Sequence, residues 1–370
     1  MKIGIDCRMY SPAFTGIGRY VLELTENLFK LDKQNEYVLF FNNPEYKYFK
    51  PPNERVKKVL VDAGHYSFAE QTTFLKKLNK EKLDLMHFTH FNAPLLYNKP
   101  FIVTIHDLTL TLFPGQKMTN FTHRMAYHAV IKHAVKKAKH VIAVSNNTKN
   151  DLGKFLKADT NKVSVVYEGI APEFKPIKGH KLELVRGKYD IQKPFLLYTG
   201  VFRSHKNLVN LVKAFAVIRK NYKLDIQLVI TGREDKYYPE VKNTIEQLGL
   251  QNEIVMPGLV PEEDLISLYS TATIYVFPSL YEGFGLPPLE AMQCGTPVVC
   301  SNASCMPEVC GDAVLFFNPN DLSDIAEKVH TLYKDKNLQK KLIKKGLEHV
   351  QKFSWEKMAK ETLKLYNSVA

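Results

Sequence analysis

Residues 273–300 read TIYVFPSLYEGFGLPPLEAMQCGTPVVC, and this stretch indicates the fold of the region around it. Apolar residues at 273–277 predict a short buried strand, and a loop with two glycines follows it. Two prolines then open a helix predicted over 287–294, where a missing N–H has no cost. The apolar run at 298–300 predicts the next strand. A strand, a helix and a strand in this order are typical of a parallel sheet with crossover helices.

The same alternation extends through the chain on both sides of this stretch. Strands are predicted at 2–5, 37–41, 57–61, 83–88, 101–105, 141–144 and 163–167, and again at 195–199, 226–231, 253–256, 273–277, 298–300 and 314–316. Helices are predicted between many of them, for example over 18–31, 120–138 and 207–221. Two such series predict two doubly wound α/β domains whose parallel sheets face each other across a cleft.

The predicted domains are residues 1–175 and 176–353. Residues 171–194 are the predicted linker, because they hold prolines and glycines and lack an apolar strand. One more helix, predicted over 354–368, follows the second series. Its periodicity does not show where it docks.

Composition excludes several classes of protein. The chain has 370 residues, of which 45% are hydrophobic, and this is enough apolar material for a packed core. The apolar stretch 272–278 is far shorter than the roughly 20 residues of a membrane span. The opening residues 1–6 predict a strand rather than a signal peptide, so we expect a cytoplasmic protein, with peripheral attachment to the inner face of the cell membrane as an option. Four of five cysteines fall in 294–310 without a CxxC pair, which favours free thiols over a metal site.

The chain is basic, with 51 Lys and Arg against 38 Asp and Glu and a formal net charge of +13. Residues 1–175 hold 26 basic and 16 acidic side chains, which leaves +10 there. No acidic residue lies between Asp107 and Asp151, and the basic segment 117–149 is either a solvated helix face or a surface for anionic lipid or an acceptor pyrophosphate. The segment lacks a nucleic-acid-binding motif, so nucleic acid is not an expected partner.

Polar residues and glycines follow strands in the first predicted domain. Gly16 and Gly18 open a helix after the first strand, where backbone N–H groups can approach an anion or simply form a tight turn. His106 ends the strand at 101–105. It can point toward a ligand or hold a structural position in its loop.

Cations and carboxylates follow strands in the second predicted domain. Arg203 and Lys206 precede a helix, where the macrodipole disfavours cations but a bound diphosphate would favour them. A solvated turn is the alternative. Glu282 lies beside the glycines of the loop and Glu290 near the start of the next helix. The sequence contains no D-x-D and no P-loop motif, so a leaving diphosphate would be neutralised by helix N-termini and cations without a metal.

These residues resemble a known family. Glu282 and Glu290 form the E-x7-E pair of retaining glycosyltransferase family 4, within 278–299, PSLYEGFGLPPLEAMQCGTPVV. Supporting segments in the family's order are 5–20, 104–108, 144–152, 200–207 and 306–313. The resemblance covers essentially the whole chain and implies a GT-B fold of two Rossmann-like domains. Among family members, the chain is similar to bacterial mannosyl- and rhamnosyltransferases of O-antigen or capsule synthesis.

The resemblance implies a role for each matching residue. Residues 176–353 would bind the nucleotide-sugar donor, residues 1–175 would meet the acceptor, and the last helix, within 354–370, would cross back onto residues 1–175. The catalytic pair would be Glu282 and His106. The other implied contacts are Arg203, Lys206, Gly16, Gly285 and Leu286 to the diphosphate, Glu282, Gly283, Phe284 and Gly285 to the donor sugar, and Glu290, Pro257, Gly258 and Leu259 to the nucleoside. The family usually has Arg-Lys-Asn where this chain has His205, Lys206 and Asn207, so Lys206 is a firmer phosphate ligand than Arg203.

The function implied is transfer of a hexose, with mannose favoured, from a nucleoside diphosphate sugar to a hydroxyl with retention of configuration. The acceptor would be a glycan or a polyprenyl-pyrophosphate-linked glycan, and no cofactor or metal is expected. Two alternatives stay open. One is a nucleotide-sugar 2-epimerase, which would need no acceptor. The other is a non-catalytic protein that binds sugar or nucleic acid.

Overall fold

A computed structural model describes residues 1–11, 15–115 and 121–369 of the chain, and of Thr15 only the backbone. The chain divides into two compact units. The first comprises residues 1–112, 117–169 and 353–370, and the second comprises residues 113–116 and 170–352. Each unit is built on one parallel sheet.

The first unit holds a seven-stranded sheet in the order β3-β2-β1-β4-β5-β6-β7, with every pair parallel. Its strands are β1 (Lys2–Asp6), β2 (Glu36–Phe41), β3 (Val56–Leu60), β4 (Leu85–Phe88), β5 (Phe101–Ile105), β6 (His140–Ala143) and β7 (Val163–Val165). Its first helices are α1 (Thr15–Leu31), α2 (Glu45–Tyr48), α3 (Leu75–Lys80), α4 (Thr109–Leu112), α5 (Phe121–Lys137) and α6 (Asn146–Leu156), and a π-helical turn, Glu70–Phe74, precedes α3. The sheet is covered on both faces, because β4 and β5 are buried along their whole length.

The second unit holds a six-stranded parallel sheet in the order β10-β9-β8-β11-β12-β13. Its strands are β8 (Phe195–Thr199), β9 (Gln227–Thr231), β10 (Ile254–Gly258), β11 (Ile274–Phe277), β12 (Val298–Ser301) and β13 (Leu315–Phe317). Its helices are α7 (His180–Lys188), α8 (Leu208–Tyr222), α9 (Glu240–Gln247), α10 (Glu262–Thr271), α11 (Leu286–Gln293), α12 (Met306–Cys310), α13 (Leu322–Lys334) and α14 (Lys336–His349). The two parallel α/β sheets confirm the predicted fold class.

Two features of the segment after β7 differ from the sequence prediction. The main segment of the second unit begins at Ile170, a few residues before the predicted boundary. The predicted linker at 171–194 contains α7, which packs against α10. Only Val185 of α7 is buried, so the helix has almost no apolar stripe for a sequence pattern to detect.

The last helix, α15 (Trp355–Val369), belongs to the first unit and packs against α1. Its Tyr366 hydroxyl lies 2.7 Å from Nδ1 of His87 on β4. Gly169 lies so close to the backbone of Trp355 that a Cβ there would overlap it. These contacts fix the beginning and the end of the helix against different parts of the unit.

Candidate functional site

Ligand sites in parallel sheets lie at the carboxyl ends of the strands. In the second unit, the loop after β11 is held there by backbone bonds to the loops that follow two neighbouring strands. Leu280 N donates to the carbonyl of His205, after β8, at 2.7 Å. Ser304 Oγ, after β12, donates to the carbonyl of Glu282 at 2.7 Å. The position of the loop is therefore fixed before any ligand binds.

Cys305 adds two further contacts to the same loop. Its buried thiol donates to the carbonyls of Glu282 at 3.3 Å and Phe284 at 3.2 Å. Burial, followed by the Glu282 charge, raises the pKa of this thiol well above its usual value. The thiol therefore stays protonated and acts as a hydrogen-bond donor. All five cysteines of the chain are buried free thiols.

The side chains of Lys206 and Glu282 form an ion pair at this edge. Lys206 Nζ lies 2.6 Å from Oε1 and 2.9 Å from Oε2 of Glu282. The two side chains are only 18% and 13% exposed, and the ammonium also lies 5.9 Å from the centre of the Phe277 ring. The sequence predicted both residues at the site. Their direct contact was not predicted, because they lie 76 residues apart.

Asn207 fixes the turn that carries Lys206. Its backbone is left-handed, with φ +60°, and it caps the start of α8. Its Nδ2 donates to the carbonyls of Pro278 at 3.1 Å and Pro319 at 2.8 Å. The turn after β8 is thereby tied to the loop after β11, and this holds Lys206 beside Glu282.

The start of α11 requires a glycine at 285. Gly285 has φ +91°, and a Cβ at this position would overlap Cε of Met306. Leu286 is the first residue of the helix, and the first N–H groups of any helix have no acceptor within it. This helix start can therefore present N–H groups to an anion.

Glu290 lies in the second turn of α11, and its carboxylate accepts a hydrogen bond from the Tyr269 hydroxyl at 3.0 Å. That hydroxyl also lies 2.9 Å from Thr199 Oγ1 at the end of β8. Burial, followed by the Glu290 charge, raises the pKa of Tyr269 well above its usual value. Tyr269 therefore holds one Glu290 oxygen by a permanent hydrogen bond. No local sequence pattern indicates this partner, which lies 21 residues away on α10.

A glycine lies at the carboxyl end of each of the neighbouring strands β8, β9 and β10, namely Gly200, Gly232 and Gly258. Gly232 N donates to the carbonyl of Gly258 at 2.8 Å, and a Cβ on Gly232, which has φ +134°, would overlap the carbonyl of Gly200. The strand ends therefore present bare backbone. The predicted nucleoside residues continue this edge: Pro257 and Gly258 are half-buried, and Leu259 is 79% exposed.

Arg203 is exposed in the turn after β8, and the structure adds a second arginine near it. Phe202 N donates to the carbonyl of Arg233 at 3.0 Å, so the backbones before Arg203 and at Arg233 are adjacent. Arg233 is also exposed. Arg233 is not among the site residues predicted from the sequence, although its position directly after β9 and Gly232 would have indicated it.

In the first unit, the constraint at the start of α1 falls on Gly18 rather than on Gly16. A Cβ on Gly18 would overlap the carbonyl of Ser11, whereas a Cβ on Gly16 would meet nothing within 4 Å. Gly16 is exposed. Residues 12–14, which precede these glycines, lie outside the described part of the chain.

Both ring nitrogens of His106 contact protein groups. Nε2 lies 2.9 Å from the carbonyl of Thr89, and Nδ1 lies 3.2 Å from Oε1 of Glu168. A carbonyl only accepts, so Nε2 carries a proton. Nδ1 faces the Glu168 carboxyl group, so protein groups occupy both nitrogens of the ring. The sequence predicted His106 but not Glu168.

A buried charge cluster lies next to the carboxyl end of β1. The Arg8 guanidinium donates to both carboxylate oxygens of Asp6, at 2.9 and 2.7 Å, and to Glu70 at 3.0 Å, above the ring of Phe74. Burial raises the pKa of Asp6, but the charge of Arg8 and its hydrogen bonds to the carboxylate together outweigh burial and lower the pKa overall. Burial raises the pKa of Glu70 despite the same cation. The cluster anchors the π-helical turn to β1, and the sequence did not indicate it.

The described residues contain neither a cluster of metal ligands nor a helix that could span a membrane. Within 1–11, 15–115 and 121–369, no three His, Cys, Asp or Glu side chains are grouped so that they could hold a metal ion. In the same ranges, no helix has the length and apolar character needed to cross a membrane.

The fold and the polar groups at the carboxyl edges of its sheets define a protein of the GT-B class. Several solved structures match it over 100% of this chain, and two of them illustrate the likeness. Sucrose-phosphate synthase from Thermosynechococcus elongatus is covered over 99% of its chain, with a TM-score of 0.80 and 21% identity. HepE from Anabaena, in complex with UDP and glucose, is covered over 100%, with a TM-score of 0.78 and 17% identity.

Sequence comparison gives the family. Residues 14–174 match glycosyltransferase family 4, and residues 184–349 match glycosyl transferases group 1. O-antigen chain mannosyltransferase B of Escherichia coli is 27% identical over 385 residues, which is 99% of each chain. The chain belongs to the group 1 and family 4 glycosyltransferases, and this confirms the predicted family and enzyme class.

Proposed function

We propose that the enzyme transfers mannose, or a similar hexose, from a nucleoside diphosphate sugar to a hydroxyl of a glycan or a lipid-linked glycan, with retention of configuration. The observation that carries this proposal is the Lys206–Glu282 pair beside the glycine turn that opens α11. The pair joins a cation suited to phosphate and a carboxylate suited to sugar hydroxyls. The similarity to an O-antigen mannosyltransferase supports mannose as the first sugar to test.

The diphosphate would be neutralised by cations and helix starts. Lys206 and Arg203 lie before α8, and Arg233, at the adjacent strand end, supplies a third cation. The N–H groups of Gly285 and Leu286 open α11 and favour negative charge. UDP in the complex of HepE supports a nucleotide ligand on this fold. From the first unit, we assign the N–H of Gly16 to the phosphates.

The donor sugar would contact Glu282, Gly283, Phe284 and Gly285, where backbone N–H groups and one carboxylate lie side by side. The nucleoside would extend along Pro257, Gly258 and Leu259, with its ribose hydroxyls on the Glu290 carboxylate that Tyr269 orients. Pro257 and Leu259 provide the apolar surface that a base needs for stacking.

The chemical step requires one bond to break and one to form at the sugar C1. The bond from C1 to the phosphate oxygen breaks, the acceptor oxygen bonds to C1 on the same face, and the acceptor proton passes to the departing phosphate. The cations stabilise the charge that develops on the phosphate. Both ring nitrogens of His106 are held by protein groups, on Thr89 and Glu168, so we assign no proton transfer to it and propose that its ring, together with Glu168, steadies the charge that develops at C1.

Donor hydrolysis is the test that needs no acceptor. Purified protein is incubated with GDP-mannose, UDP-glucose or a dTDP-hexose, and released nucleoside diphosphate is measured with EDTA or with Mg²⁺ present. The proposal expects release from one donor class at equal rates in both conditions. Loss of activity in EDTA that Mg²⁺ restores would contradict a metal-free diphosphate site. The absence of release from every donor would contradict the donor assignment.

A further inference from the structure

Helix α5 presents a mixed apolar and basic stripe away from the body of the first unit. Its buried side consists of Tyr127, Ile131, Ala134 and Val135. On the adjoining side of the helix, Phe121 is 72% exposed and Met125 is 58% exposed. Single exposed apolar residues are common, but two of this size one turn apart form a patch.

Three cations share that side of the helix. At 3.6 residues per turn, Lys132 and Lys136 fall within about 60° of Phe121 around the helix axis, and Arg124 lies on the other flank of the stripe. All three are exposed. The docking stripe, as we call it, therefore consists of Phe121, Arg124, Met125, Lys132 and Lys136, with its apolar members at the start of the helix.

The positive charge of the docking stripe is not neutralised locally. No acidic residue occurs between Asp107 and Asp151 in the sequence. In the part of the chain that the structure describes, no carboxylate forms an ion pair with the three cations of the stripe. The pKa of His128, on the same face, is lowered by its burial and then by Lys132 and Arg124, as a positive local field requires.

Further apolar surface adjoins the helix. The ring of Phe91 lies 5.2 Å from Tyr127 under α5 and 5.9 Å from Tyr66 on its other side. Tyr66 is 61% exposed, and the neighbouring Phe68 is 82% exposed. The region thus exposes aromatic rings as well as the docking stripe.

We infer that the docking stripe binds the surface of an anionic phospholipid bilayer, with Phe121 and Met125 inserted among the headgroups and the three cations on lipid phosphates. An interfacial helix needs exposed apolar side chains with Lys and Arg beside them, and the exposed surface of α5 supplies both. Nucleic acid would use the cations but would leave the methionine side chain without a role. This inference rests on the proposed function in one respect only, namely that the acceptor is carried by a lipid.

The test is co-sedimentation of the full chain with vesicles of phosphatidylcholine alone or with phosphatidylglycerol at about 30%. The inference expects binding only to the anionic vesicles and weakening by salt. Each cation removed should lower the partition coefficient roughly fivefold, so the triple change Arg124→Gln, Lys132→Gln and Lys136→Gln should lower it roughly 100-fold. The double change Phe121→Ser and Met125→Ser should also weaken binding, but the binding that remains should depend on salt concentration as it does in the wild type.

Matched controls come from exposed residues of the second unit. Lys340→Gln, Lys341→Gln and Lys344→Gln on α14 remove the same charge, and Leu184→Ser with Leu248→Ser removes similar apolar surface. Both controls should bind like the wild type. Equal recovery of the wild type with both kinds of vesicle would overturn the inference, and so would an equal loss of binding in the α14 control. It would also be overturned if RNA displaced the protein from the vesicles while the Phe121 and Met125 variant bound them as well as the wild type. Donor hydrolysis, which all variants should retain, reports separately on the proposed function.

Discussion

Replacing Glu282 by Gln tests the ion pair at the centre of the proposed site. The substitution keeps the shape of the side chain and removes its charge. The backbone anchors of this loop, such as the bond from Ser304 Oγ to the Glu282 carbonyl, are unaffected. Lys206 keeps one acceptor in the amide oxygen but loses its charged partner where the two side chains are only 18% and 13% exposed, so the free energy of unfolding should fall by about 1–3 kcal/mol.

The structure predicts opposite effects on binding and on transfer. In the wild type, the Lys206 ammonium lies 2.6 and 2.9 Å from the two carboxylate oxygens, and a phosphate must compete with them. In the variant this competitor is neutral, so a nucleoside diphosphate without its sugar should bind as tightly as before or more tightly. A charge-assisted hydrogen bond to a donor-sugar hydroxyl contributes about 1.5–3 kcal/mol, so kcat/KM should fall roughly 10- to 150-fold.

The assay compares donor hydrolysis with nucleoside diphosphate affinity in the same preparation. Glu327→Gln, at an exposed position on α13, is the matched control and should leave both unchanged. Turnover of the Glu282 variant close to the wild-type value would refute the assignment of Glu282 to the donor sugar. A parallel loss of turnover and nucleoside diphosphate affinity would refute the competition between phosphate and carboxylate for Lys206.

Other predictions follow from the two units separately. Gly285→Ala forces a side chain into a left-handed position against Met306, so the unfolding free energy in urea should fall by about 1–3 kcal/mol, and an unchanged value would contradict the strain. Burial lowers the pKa of His87 from its ordinary value of 6.5 to about 3. As the pH falls, the unfolded chain therefore takes up this proton before the folded chain does. Stability should therefore fall as the pH drops from about 6.5 toward 3, and His87→Gln should reduce this dependence in urea titrations at several pH values. Glu168→Gln replaces the carboxyl group that faces the His106 ring, so the ¹⁵N shift of Nδ1 should change, and an identical spectrum would contradict the 3.2 Å contact.

Local patterns were sufficient to predict the strands and many of the helices. Residues 273–277 and 287–294 were predicted as a strand and a helix, and the structure has β11 at Ile274–Phe277 and α11 at Leu286–Gln293. This worked because β11 is buried along its whole length and prolines mark the start of α11. Helix α7 was missed because its sequence is mostly polar, with one buried residue.

Contacts between distant residues could not be predicted from one sequence. Glu282 was expected near a sugar and Lys206 near a phosphate, but nothing local indicates that they pair with each other. The same holds for Glu168 beside His106, 62 residues away, and for Arg8 beside Glu70. These partners are set by which strands are neighbours in the sheet, and strand order depends on the whole fold.

In the proposed function, the second unit binds a nucleoside diphosphate through cations and helix starts without a metal. Thermal unfolding with GDP, UDP and dTDP, each in the presence of EDTA, tests it most directly. At 100 times its dissociation constant the correct ligand should stabilise the protein by about 2.7 kcal/mol. For a domain of 150–250 residues this raises Tm by roughly 5–10 °C. We expect such a rise for one of the three ligands and its loss in the Lys206→Met variant, whereas no rise with any of the three would contradict a metal-free nucleoside diphosphate site.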